Sequence, residues 1–197
     1  MTKKFIILGA TLAVLAPILV HIRNVSWAIS SLDALLMNLF PIFGLIAFTL
    51  LWLHSISGVF EEWLRERFNF DSFVHWTALV ILVSMILHPL LLLILVRFDF
   101  GAIFGTWNTG IMLGLLGLIL LLTYDIGKAL KSYEFFSRNW NKILVISTIG
   151  FLLTFFHSLM VGSDLQSGWL RWLWIFYGVT AIVSTIYTYG MKRYLYK

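Results

Sequence analysis

Six stretches of about 20 mostly apolar residues take up nearly all of this 197-residue chain. That is the length an α-helix needs to cross the roughly 30 Å hydrocarbon core of a bilayer. They run over residues 5–22, 34–56, 73–96, 109–126, 143–161 and 169–190. With 60% apolar residues, 12% charged and a mean hydropathy of +0.94, the composition lies outside the range of soluble domains. The expected fold is an all-α membrane protein, a bundle of six transmembrane helices forming one domain over 1–197 with no soluble domain beside it. The first run follows Lys3 and Lys4 but is long for a signal peptide and lacks a small-x-small cleavage site, so it is expected to stay as a span.

Orientation follows from the basic residues in alternate loops. One side carries Lys3, Lys4, Arg65, Arg67, Lys128, Lys131, Arg138, Lys142, Lys192, Arg193 and Lys197, and the other only Arg23, Arg97 and Arg171. This bias predicts both termini in the cytoplasm and a cell (plasma or inner) membrane location. It also explains the net charge of +5 without nucleic acid, which is not expected as a partner. Trp169, Trp172 and Trp174 at one end of the last span, and Tyr187, Tyr189, Tyr194 and Tyr196 at the other, match interfacial belts. The segment Glu61 to Phe68 predicts a short interfacial helix with Glu61 and Arg65 one turn apart. Asp71 and Ser72 look like the cap of the third span.

The chain has no cysteine, which excludes disulfides, cysteine-ligated clusters, thioether-attached haem and thiolate catalysis. It contains neither G-x-G-x-x-G nor G-x-x-x-x-G-K-[ST], and no carboxylate pair or Ser/His/Asp set at membrane depth. No catalytic residue is expected on these grounds.

Histidine is the chemistry-bearing residue that remains. His88 and His157 lie 15 and 14 residues into the third and fifth spans, which cross in the same direction, at roughly 22 and 21 Å from their starts. An ionisable group at that depth is a functional candidate by default. Two imidazoles at one level suit the axial positions of a haem held edge-on between helices in the outer half of the membrane. Gly150, Thr154 and Ser84 are small residues on the same faces and leave room for a flat ring. Gly110 and Gly114 form a small-xxx-small pair that predicts a close helix approach. The competing reading is a cofactor-free multi-pass protein, an assembly factor or transporter subunit, whose histidines only join helices. His54 and His75 share a shallower level near the cytoplasmic ends and are candidates for an inner site, although His75 and His88 stand about 140° apart around an ideal helix. His21 is expected to be solvated at the end of the first span.

A third span ending HWTALVILVSMILHPL and a fifth reading WNKILVISTIGFLLTFFHSLMVG after a basic loop give the chain a likeness to a known family. It resembles the ferric reductase-like transmembrane domain shared by ferric reductases, NADPH oxidases and the haem-binding membrane subunit of the methionine sulfoxide reductase system. The resemblance implies haem ligands on the third and fifth helices, at His88 and His157. Ile143 and Leu144 stand where the family's other fifth-helix histidine falls, which implies a single outer haem b, as in STEAP-type metalloreductases. A second haem or a flavin would then come from a partner.

The resulting expectation is a membrane b-type cytochrome-like electron-transfer subunit, alone or as the haem subunit of a transmembrane oxidoreductase. Electrons would come from a separate flavoprotein or a quinol and leave to an outer-side acceptor protein. Arg97 and Arg171, in outer loops, are candidates for pairing with haem propionates.

Overall fold

A computed structural model describes residues 3–27, 30–105 and 108–191. The chain is 87% helical with no strand among those residues, and six of its helices are long and apolar enough to cross a membrane. In chain order the helices are α1 (Lys3–Asn24), α2 (Leu32–Val59), α3 (Glu61–Arg65), α4 (Phe70–Leu95), α5 (Phe100–Phe104), α6 (Thr109–Ala129), α7 (Glu134–Arg138), α8 (Trp140–Val161) and α9 (Gly168–Ile186). A 3-10 turn at Ser163–Leu165 precedes α9, and a π-helical turn at Tyr187–Met191 extends it. The six expected spans fall on α1, α2, α4, α6, α8 and α9, with ends displaced by up to four residues. Tyr194, Tyr196, Lys192, Arg193 and Lys197 lie outside the described residues.

The chain divides into two compact units. The first comprises residues 1–99 and 167–197, and so holds α1 to α4 and α9. The second comprises residues 100–166, with α5 to α8.

In the first unit α2 is the central helix and packs on α4, α9 and α1. Its contact with α9 is aromatic: Phe48 stacks on Trp174 at 4.5 Å between ring centroids, and Trp52 on Tyr177 at 4.1 Å. Trp174 is therefore a core residue, 1% exposed, and not part of the interfacial belt that Trp169 and Trp172 still fit. The cause is helical spacing, since Trp174 and Tyr177 share the face turned to α2.

His21 is likewise buried, at 2% exposure, and not solvated. Helix α1 continues to Asn24, which keeps His21 within the helix, and its Nε2 donates to the Asn38 carbonyl of α2 at 2.9 Å. The amide of Asn38 in turn donates to the Ser26 carbonyl at 2.8 Å.

The expected short helix after α2 is present as α3. Its Arg65 bridges Glu61 and Asp71, both at 2.9 Å, and these bonds, to Asp71 first and then Glu61, raise the guanidinium further above its already high range. Asp71 thus faces Arg65 and does not cap α4. The cap is Asn69, whose side chain accepts from the Ser72 N–H at 3.0 Å, so the helix begins at Phe70.

In the second unit α6 and α8 approach closely through small residues. A carbon added at Gly117 would meet Thr154 Cγ2 at 2.8 Å and the Gly150 carbonyl oxygen at 3.0 Å. One added at Gly150 would meet the Gly117 carbonyl oxygen at 2.8 Å. Gly150 and Thr154, two of the residues expected to leave room for a flat ring, instead lie against α6. Missing side chains let two backbones meet. Helices α5 and α7 are short additions outside the apolar runs, and Glu134 and Arg138 of α7 stand one turn apart as Glu61 and Arg65 do in α3.

Candidate functional site

Four of the five histidines hold a neighbour through a ring nitrogen, two through each kind. His21 and His54 hold their neighbours through Nε2, the far nitrogen. The Thr77 hydroxyl donates to the Phe73 carbonyl at 2.6 Å, so at 2.6 Å from His54 Nε2 it acts as the acceptor and fixes the Nε2–H tautomer there. The Asn38 carbonyl does the same for His21.

His88 and His157 instead use Nδ1, the nitrogen nearer the backbone. His88 Nδ1 lies 2.7 Å from the Phe40 carbonyl oxygen of α2, and His157 Nδ1 lies 2.7 Å from the Gly110 carbonyl oxygen of α6. A carbonyl only accepts, so each Nδ1 carries the hydrogen, and the lone pair of the neutral ring is on Nε2. That is the tautomer of a metal-ligating imidazole, whose other N–H is normally fixed by a carbonyl or carboxylate.

The two sites share a construction. In α2 the accepting carbonyl at Phe40 is followed four residues later by Gly44; in α6 the one at Gly110 is followed four residues later by Gly114. A methyl group at Gly44 would lie 2.9 Å from His88 Nδ1 and Cε1, and one at Gly114 would lie 2.5 Å from His157 Nδ1. Each imidazole therefore rests directly on a glycine. The reason is helical geometry: Cα–Cβ bonds tilt toward the N-terminus, so the side chain at position n+4 leans back over the carbonyl of residue n. With glycine at n+4 the imidazole of the next helix can lie against the backbone and meet that oxygen through its near nitrogen, whereas His21 meets the Asn38 carbonyl past Ile42 through its far one.

The arrangement recurs with an offset of 70 residues on the accepting helix and 69 on the histidine helix. Gly44 stands 15 residues before the end of α2, and Gly114 15 before the end of α6. His88 stands 18 residues after the start of α4, and His157 17 after the start of α8. The one-residue difference in count read from the sequence therefore persists with the observed helix starts.

The other candidates are placed differently. His75 is exposed, with its ring edge-on to Trp76. His54 aims at Thr77, two residues from His75 and so about 200° around α4 from it. The structure does not bring His54 and His75 to one point. Arg97 is exposed just beyond α4 with a left-handed backbone (φ 53°), and Arg171 is half-buried in the first turn of α9. No group of three or more His, Asp or Glu side chains suited to a metal ion is found among the described residues.

Phe40 and Gly44 are the residues missed by sequence reasoning. The signal that finds them is a glycine on one span and a histidine 43 or 44 residues later on the next, occurring twice. Compared with family models, curated proteins and solved structures, the chain matches none of them.

Proposed function

We propose that this chain is a b-type cytochrome-like electron-transfer subunit of the ferric reductase-like kind, in which His88 and His157 would be the haem-holding histidines. The observation that carries this reading is the shared seat: His88 and His157 each hold a carbonyl of the neighbouring helix through Nδ1. The donors fit the group: a neutral imidazole with its lone pair on Nε2, as at His88 and at His157, is the kind of side chain that would hold a haem iron. A haem, when bound, supplies a one-electron carrier.

The protein's own part is to hold and orient. The Phe40 and Gly110 carbonyls fix the tautomer and the ring planes, so that little ordering is left to accompany ligation. The tilted contact of Phe40 with His88, 5.6 Å between ring centroids, packs an apolar group beside the imidazole. Arg97 and Arg171 are assigned to the propionates. The Lys/Arg distribution supports both termini in the cytoplasm of a plasma or inner membrane; a flavoprotein or quinol donor and an outer-side acceptor go with the ferric reductase-like reading.

The test is a reduced-minus-oxidised spectrum of the protein purified in detergent from haem-replete cells. Soret and α bands at one haem per chain, absent in both His88→Ala and His157→Ala and retained in His75→Ala, are the expected result. A colourless wild-type protein overturns the reading in favour of histidines that only tie α4 to α2 and α8 to α6. Two haems per chain overturn the single-site assignment.

A further inference from the structure

We infer that Gly44 and Gly114 are positioning residues that hold the His88 and His157 rings in ligand geometry before any cofactor arrives. The inference rests on the reading of these histidines as haem ligands only for its consequence; the seats themselves are features of the chain alone.

Without a side chain at Gly44, the Phe40 carbonyl is open toward α4, and His88 lies across the gap with its Nδ1–H on that oxygen. Gly114 opens the Gly110 carbonyl to His157 in the same way. Close helix packing alone does not account for Gly44 and Gly114. At Gly150 a new carbon would meet two backbone atoms and a Cβ of the facing helix, and at Gly117 the Thr154 methyl and two backbone atoms. At Gly44 and Gly114 the three nearest atoms all belong to the imidazole. A methyl group there displaces the ring from its oxygen, and the ring then rotates to another hydrogen-bond partner or tautomer.

Gly58 supplies the control, since it lies on α2 with nothing within 4 Å of an added carbon.

The experiment has two arms on the full chain, with size exclusion and helicity checked for each variant. In the first, ring-15N-histidine NMR is recorded on protein from haem-depleted cells, with assignment by His88→Asn and His157→Asn. The expected wild-type result is the Nδ1–H tautomer for His88 and His157. Gly44→Ala removes it for His88 only, Gly114→Ala for His157 only, and Gly58→Ala for neither. Wild-type rings in the Nε2–H tautomer overturn the inference even if no glycine variant folds.

In the second arm the same variants are loaded with haem. Gly44→Ala and Gly114→Ala are expected to lower haem affinity by about tenfold or more, the size of a lost ligand-orienting contact, and to convert low-spin six-coordinate spectra to high-spin. Variants with wild-type tautomers and spectra overturn the inference while leaving the haem reading intact. A wild-type protein that binds no haem but shows the expected tautomers and their loss overturns the haem reading and leaves the positioning role standing.

Discussion

The Tyr177 hydroxyl donates to the Ala13 carbonyl at 2.9 Å, and that oxygen is the one Pro17 leaves without its helical partner. A proline has no N–H to return to the residue four before it, and in lipid no water takes its place. Helix α9 repairs the break in α1 with a phenol that also stacks on Trp52.

Tyr177→Phe keeps the stack and loses the bond. The expected loss is about 1 kcal/mol, at the level of interhelical hydrogen bonds in membranes. In a Pro17→Ala background the helix bond is restored, and the same change costs measurably less. A double-mutant cycle of unfolding in detergent reads the coupling; strictly additive losses refute the repair.

Amide side chains discriminate the two histidine classes. Glutamine reaches about as far as imidazole Nε2 and asparagine about as far as Nδ1. His54→Gln is expected to hold Thr77 and keep wild-type stability, whereas His54→Asn loses the contact and about 0.6 kcal/mol. At His88 and His157 the order reverses: asparagine keeps the bond to the carbonyl and the fold. Neither Asn variant retains a haem spectrum. Thermal melts and visible absorption give the two readings.

The contact of α6 with α8 is sensitive to volume. Gly150→Ala places a carbon 2.8 Å from the Gly117 carbonyl oxygen and from Leu121 N, both backbone atoms that have no rotamer to yield. The expected cost is about 1–3 kcal/mol. Gly9→Ala, in open surroundings on α1, serves as the neutral comparison, and equal melts for the two refute close packing at Gly150.

Sidedness is accessible because the chain has no cysteine of its own. Ser132→Cys, in the basic segment before α7, is expected to react with a membrane-impermeant maleimide only after the cells are opened. Ser163→Cys, in the turn before α9, is expected to react on intact cells. Both positions are exposed, so a reversed pattern refutes cytoplasmic termini and not merely accessibility.

Length and apolarity made the six long helices legible, since a run of about 20 apolar residues admits few other structures in a bilayer. The pair His88 and His157 was legible for the same reason, as polar groups within such runs. What the residues of a single span do not carry is which side of it meets another helix. His21 and Trp174 occupy positions that suit an interface, and both are buried because α2 passes beside them.

Local chemistry therefore determined the spans, their bias in charge and the candidate ligands. Tertiary structure decided the roles within that set: which nitrogen each ring uses, which carbonyl orients it, and which glycine admits it. The reason is that a tautomer is chosen by the partner across the gap. That partner lies 48 residues away for His88 and 47 for His157, in a helix whose facing side only packing reveals.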